Sequence, residues 1–238
     1  MSFIIAIFNE FLYRPLFNAL VLLYAYIPGA DFGISVIILT VLVKLVFYPL
    51  GTKAIRSQKA LAELQPKIKE IQEKYKNDKE AQAKELMELY KNEKTSPFSG
   101  CLPILVQLPV LLAMYRVFWR GLGSDQLSLL YGFVPNPGAL NSMFLGLVDL
   151  SQPNITIAIL VGALQFLQLK LLSPKSKKSK SEGFSDRLQK QMQYFTPVFI
   201  VMVLWNLPSA LGLYFLTTTL FTIIQQYIIT KKTDVKPS

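Results

Sequence analysis

The chain contains no histidine and a single cysteine, Cys101. An intramolecular disulfide is therefore impossible. A His/Cys zinc site and a Ser-His-Asp or Cys-His catalytic arrangement are excluded within the chain. Acidic residues are also scarce, 15 Asp+Glu against 25 Lys+Arg. No carboxylate pair lies inside a long apolar run, which argues against a proton-driven pump and a hydrolytic membrane enzyme. There is no HExxH, no zinc-finger spacing and no glycine-rich phosphate loop. No half-to-half repeat supports a transporter, and no ring of like charges or filter sequence supports a channel. The first eight residues lack a basic region and a small-residue cleavage site, so no cleavable signal peptide is expected. No lipid-attachment cysteine lies near the start.

What is present is apolar sequence in long runs. Of 238 residues, 52% are hydrophobic, and the mean hydropathy is positive. These values fit a small polytopic membrane protein. Five spans are expected, at 33–50, 101–119, 154–172, 194–207 and 209–229. The fourth is short: about 14 residues at 1.5 Å each give about 21 Å, against a hydrocarbon core of about 30 Å. It must thin the bilayer or be shielded by neighbours. Residues 51–100, 170–190 and 231–238 hold 21 of the 25 basic residues. Five spans put all three segments on one side, which the positive-inside rule makes cytoplasmic. The N-terminus is then outside and the C-terminus inside, in a bacterial plasma membrane.

The segments outside the spans differ in kind. Residues 1–30 contain an apolar stretch interrupted by Glu10, Arg14 and Pro15. It reads as an amphipathic helix on the outer interface, with a sixth span as the alternative. Residues 51–96 repeat apolar residues at helical spacing, Leu61, Leu64, Ile68, Ile71 and Tyr75, then Ala83, Leu86, Met87 and Tyr90 after a break at Asn77-Asp78. They predict an antiparallel helical hairpin with a mixed surface. Pro66 would start or kink its first helix. Residues 120–153 form an external loop. Residues 173–190 form a basic cytoplasmic loop with a low-complexity start, attracted to the anionic inner leaflet. Residues 230–238 are a short cytoplasmic tail. The fold class is thus an all-α membrane protein with five transmembrane helices, a cytoplasmic hairpin and an N-terminal interfacial helix.

Lys44 is the anomaly in this pattern. It lies inside the run from Gly33 to Leu50, which holds no acidic residue. A charge at membrane depth costs about 2.5 kcal/mol or more unless it meets water, a partner or a cavity. It either snorkels to a span end or faces a wet cavity where it can meet anionic cargo. Thr40 shares its helical face, four residues away. Gln107 lies midway along the second span, and Gln165 and Gln168 share a face of the third. Thr217, Thr218, Thr219, Thr222, Gln225 and Gln226 follow along the fifth. Such groups must find hydrogen bonds in hydrocarbon. The threonines read as interhelical glue, whereas Lys44, Gln107 and Gln165 read as a shared hydrophilic hollow. Trp205 and Tyr214 are candidate outer-side anchors or cargo contacts, with anchoring the simpler role.

Several stretches carry a resemblance. Lys44-Leu-Val-Phe-Tyr-Pro-Leu-Gly-Thr-Lys-Ala and Gln58-Lys-Ala-Leu-Ala-Glu-Leu-Gln-Pro-Lys are two of them. Glu88-Leu-Tyr-Lys-Asn-Glu-Lys-Thr-Ser-Pro-Phe-Ser-Gly-Cys-Leu-Pro-Ile-Leu-Val-Gln-Leu-Pro is a third. Phe195-Thr-Pro-Val, Leu207-Pro-Ser-Ala-Leu-Gly-Leu-Tyr-Phe and Thr222-Ile-Ile-Gln-Gln-Tyr complete the set. Together they resemble the YidC/Oxa/Albino membrane protein insertases, as a small bacterial member, from about residue 11 to 230. The resemblance implies a five-span core, a cytoplasmic hairpin, and a positive groove open to cytoplasm and lipid but closed outside. Lys44 stands where the family usually has arginine, so the charge remains but the bidentate fork does not. Ala210 stands where glycine is frequent, and neither a large external domain nor a long basic tail is expected. The implied function is non-enzymatic insertion of nascent membrane proteins, with no cofactor and no small-molecule substrate. Expected partners are nascent membrane proteins and the lipid bilayer, with the ribosome and a Sec-type translocon as further candidates. A non-catalytic assembly factor beside a Sec-type channel is the alternative function.

Overall fold

A computed structural model describes residues 2–96, 102–120, 124–138, 140–172 and 184–234. The expected start of the second span at Cys101, most of the basic 173–190 segment and the end of the tail lie outside the described residues. The described backbone is mostly helical, with helices that follow local sequence chemistry. Helix α1 (Ser2–Phe8) runs through a π-helical turn, Asn9–Tyr13, into α2 (Arg14–Tyr26). Glu10 and Arg14, one turn apart, pair at 3.2 Å and so offset each other's charge. Pro15 falls in the first turn of α2, where its missing N–H leaves no bond unmade, so all three residues expected to interrupt the segment are tolerated. Ile5–Tyr26 is continuous, and by length and composition alone it is long and apolar enough to cross a membrane.

Asp31 starts α3 (Phe32–Val46): its Oδ1 accepts from the Ile34 N–H at 2.8 Å, a standard N-cap. The apolar run expected as one span, 33–50, is divided between two helices. α3 stops at Val46, and α4 (Tyr48–Lys74) departs at 71° after the single residue Phe47. Pro49 is the physical reason, since its missing N–H and fixed φ suit the first turn of a new helix. Pro66 lies inside α4. Asp78 then caps α5 (Lys79–Asn92), accepting from the Ala81 N–H at 3.0 Å.

α4 and α5 lie side by side, joined by Lys67–Glu93 at 2.5 Å and by Gln82 donating to the Gln72 carbonyl at 3.0 Å. Leu64 and Ile68 are buried. On α5 the expected apolar face is rotated: Ala83 and Met87 point outward, and Leu86, Leu89 and Tyr90 are half-buried. The mixed composition of α5 makes a one-residue choice of face weakly specified.

α6 (Leu102–Arg120), α7 (Ile155–Leu172), α8 (Phe184–Leu204) and α9 (Ser209–Asp234) complete the bundle. α8 begins ten residues before the expected fourth span and ends three before its limit, and its apolar part is Gln193–Leu204. α9 extends into the expected tail. Close packing depends on glycine. A Cβ on Gly162 would fall 2.5 Å from Val201 Cγ2, and one on Gly212 would fall 2.7 Å from Ile157 Cγ2. These positions let α7 approach α8 and α9 closely.

The segment between α6 and α7 is more structured than the expected loop. It holds a 3-10 turn, Ser124–Leu129, and a two-stranded antiparallel hairpin, β1 (Met143–Phe144) and β2 (Val148–Asp149), with Met143 opposite Asp149. This segment ties several helix starts together. Asp31 Oδ2 accepts from the Leu145 N–H at 2.5 Å, at a residue held in the left-handed region (φ 51°). The amides of Ser209 and Ala210 donate to the carbonyls of Gln152 and Leu150, each at 3.0 Å, which pairs the otherwise open first turn of α9. Asn154 caps α7 through the Ile157 N–H at 3.2 Å. Below this cap lies the apolar core, which includes Phe17, Phe32, Val36, Met114, Leu150, Val161 and Leu211.

Two outcomes follow from this packing. Gly162→Leu should destabilise the α7–α8 contact by about 1–3 kcal/mol through overpacking, measured by unfolding in detergent. Asp149 accepts from Ser142 Oγ and from the side chain and amide of Ser151, and these bonds hold its carboxyl below the usual range. Its contribution to the cap is complete above the ordinary aspartate pKa and is lost as pH falls through the depressed folded value. Amide exchange at residues 142–151 should therefore accelerate only at the acid end, and Asp149→Asn should flatten that dependence.

Candidate functional site

Away from the cap, the helices become polar on their facing sides. On α3, Thr40 spends its hydroxyl on its own helix, donating to the Val36 carbonyl at 2.6 Å. Lys44, one turn on, has no such local partner. Its Nζ reaches Thr222 Oγ1 on α9 at 3.4 Å, and that hydroxyl in turn donates to the Thr218 carbonyl at 2.8 Å. The threonine therefore turns oxygen lone pairs toward the ammonium. On α6, Gln107 Nε2 donates to the hydroxyl of Tyr214 on α9. On α7, Gln165 has a buried Oε1 with no hydrogen-bond partner, an acceptor left for water or a ligand.

These side chains line one cavity of about 370 Å³, far more than the space one water needs. Its wall includes Thr40 and Lys44 from α3, Gln58 from α4, Gln107 from α6, Gln165 and Gln168 from α7, and Tyr214, Thr218, Thr222 and Gln225 from α9. Among the described lining residues Lys44 is the one that carries a formal charge; the other polar groups are neutral amides and hydroxyls. No Asp or Glu is among them. The aliphatic part of the wall includes Val43, Leu108, Val110, Leu111 and Ile200. The arrangement can hydrate a chain segment, exchange hydrogen bonds with it and attract negative charge. Among the described residues no three His, Cys, Asp or Glu side chains gather as a metal site would require.

Five of the six sequence candidates, Lys44, Thr40, Gln107, Gln165 and Tyr214, meet in this cavity. Tyr214 corrects the anchoring role expected of it: it is 2% exposed and bonded inside the bundle, whereas an interfacial anchor must reach the headgroups. Trp205 stands apart, 58% exposed in the turn after α8 and outside the cavity wall. Thr222, expected as glue, bonds Lys44 and lines the cavity, and Gln225, for which no role was expected, bonds α4 and lines it too. Gln58 and Gly51 were not expected there. They arrive because α4 leaves α3 at Phe47 and passes over the cavity, a consequence of Pro49 that the apolar continuity of residues 33–50 concealed.

The family model described as 60Kd inner membrane protein matches residues 22–236. A protein of Fusobacterium nucleatum subsp. nucleatum named membrane protein insertase YidC is 36% identical over 203 residues, covering 85% of this chain and 87% of the relative. Proteins of the same name from Syntrophus aciditrophicus and Francisella tularensis subsp. novicida are 37% and 36% identical over 94% and 84% of this chain. Of those two relatives the match covers only 37% and 33% of the length.

The Gln107–Tyr214 pair gives a direct test of this geometry. Tyr214→Phe removes the acceptor of a half-buried amide and should cost about 1–3 kcal/mol. Adding Gln107→Leu should recover most of that loss, because replacing both partners leaves no stranded polar group. Chemical unfolding of the two single variants and the double variant in detergent reads the coupling.

Proposed function

The chain belongs to the 60Kd inner membrane protein family, the YidC/Oxa/Albino insertases, and from that membership we propose how this membrane protein insertase works. It is a multi-pass protein of the bacterial membrane. Its five spans are α3, α6, α7, the apolar part of α8, and α9. The α4–α5 arm and the C-terminus are cytoplasmic, and the 124–152 cap and the N-terminus are outside. The distribution of basic residues supports this orientation. The N-terminal helix lies along the outer interface rather than across the bilayer. From Tyr13 to Tyr24 its polar side chains bond along the outer segment, to Gln126, Leu129, Tyr131 and Asn141.

The cavity is the working surface: a hydrophilic, positively charged groove, open toward the α4–α5 arm and blocked at the other end by the apolar core and the cap. A nascent hydrophobic segment meets the arm first. Its short polar flank enters the groove, where Lys44 attracts negative charge and Gln107, Gln165 and neighbouring hydroxyls replace lost water contacts. A groove reaching partway shortens the dry path to the outer side. The cargo helix then leaves for lipid, driven by apolar burial at about 25 cal/mol per Å². No covalent chemistry and no cofactor take part. The observation that carries this reading is Lys44, a charged side chain in the cavity wall facing neutral amides and hydroxyls with no carboxylate beside it. Ribosome and Sec-type contacts are compatible partners for the same arm.

Insertion of a single-span cargo with an acidic translocated tail into proteoliposomes tests this. Lys44→Arg should retain the wild-type rate, because a point charge suffices. Opposite charges about 4 Å apart interact by about 4 kcal/mol at an effective dielectric near 20, so Lys44→Ala should lose about tenfold or more and Lys44→Glu should lose further. Equal rates for all four proteins would remove the groove charge from the mechanism and favour an assembly factor acting beside a Sec-type channel.

A further inference from the structure

The 71° bend between α3 and α4 is made by one residue. Phe47, at φ −87° and ψ 9°, leaves the helical region, and Pro49 follows in the first turn of α4. A single-residue joint can swing unless something outside it fixes its angle. α4 also forms part of the cavity wall through Leu50, Gly51, Ala54, Ile55 and Gln58. The angle at Phe47 therefore sets how widely the mouth of the groove stands open.

α9 grips this joint from one side. The buried Gln225 donates through Nε2 to the Tyr48 carbonyl and to Thr52 Oγ1, both at 3.1 Å. Thr52 Oγ1 itself donates to the Tyr48 carbonyl at 3.0 Å, closing a three-membered network on the first turn of α4. One turn back on α9, Phe221 meets the Tyr48 ring edge-on, with centroids 6.5 Å apart at 84°. Gly51 admits the amide: a Cβ there would lie 3.2 Å from Gln225 Oε1. Lys44 is engaged separately by Thr222, so the grip and the groove charge use different residues of the same helix. An apolar contact would let α4 roll about the joint, whereas two directional bonds to a fixed carbonyl and hydroxyl do not.

We infer that Gln225 is a positioning residue, which sets the direction of the α4–α5 arm over the groove by holding the first turn of α4. The consequence for cargo rests on the insertase reading above; the consequence for geometry does not. The test places spin labels at Lys76→Cys, in the turn of the arm, and Gln152→Cys, in the cap, with Cys101 replaced by serine. Distances between the labels are read in the full chain in lipid. Gln225→Met keeps side-chain length and removes the donor, and Thr52→Val removes the second partner without touching α9. Both should broaden and shift the distance distribution relative to the unsubstituted residues, with unfolding temperature little changed. Cargo insertion should fall several-fold while Lys44-dependent discrimination between acidic and neutral tails persists. The double variant should be no worse than the more affected single one. Distance distributions that superimpose on the parent in both variants would overturn the inference. Broadened distributions with unaltered insertion would support the hold on the joint and overturn its consequence for cargo. A parent protein that inserts no cargo would sink the insertase reading and the delivery role together, while the distance result would still decide whether Gln225 holds the joint.

Discussion

The rest of the structure is arranged around one unpaired charge. Lys44 sits in an apolar helix with no carboxylate in its own run and none in the cavity wall it faces. A buried acid would neutralise it and, on the proposed reading, end its use as an attractor for cargo anions. Neutral partners solve the problem differently: they solvate the ammonium without cancelling its field. Thr222 meets the ammonium, Gln107, Gln165 and Tyr214 line the same cavity, and each comes from a helix other than α3. Bringing them together requires close helix approach, which Gly162 and Gly212 permit at the α7 contacts.

A charge in a cavity open at both ends would also leak ions. The molecule is instead divided along its length. Toward the cap, α3, α6 and α9 present Phe32, Val36, Met114, Val117, Ala210 and Leu211 to a dense core. Toward the arm the same helices present Lys44, Gln107, Thr218 and Thr222. The change occurs within one or two turns of each helix. The cap then pairs the first turns of α3, α7 and α9 through Asp31, Asn154 and the carbonyls of residues 150 and 152. On the proposed reading, a one-ended hollow would follow from this division rather than from any moving part.

Much of this was legible in the sequence. The spacing of Thr40 and Lys44 fixed their common face, and the lack of any nearby acid pointed to a polar hollow that Gln107 and Gln165 do share. The caps at Asp31, Asp78 and Asn154 lie where Asp and Asn precede helical runs. Other features were hidden for physical reasons. Tyr214 has the composition of an interfacial anchor, and only its bond to Gln107 on a distant helix shows that it faces inward. The bend at Phe47 breaks a run that stays apolar on both sides, so hydropathy could not mark it; Pro49 could. The face of α5 departs from the expected one because Ala83 and Met87 are nearly as compatible with exposure as with contact. The roles of Gln58 and Gln225 depend on the angle of α4, a tertiary quantity that no local pattern encodes.

The central claim is that the wall around Lys44 is wet and reachable from the arm side alone. Thr222→Cys in a background lacking Cys101 places a thiol beside the Lys44 ammonium. Its reaction with a membrane-impermeant, negatively charged thiol reagent can be compared in vesicles of the two orientations. The account predicts rapid labelling from the face carrying α4–α5 and none from the face carrying the cap. A thiol that stays unreactive from both faces, or that labels from the cap side, would contradict it.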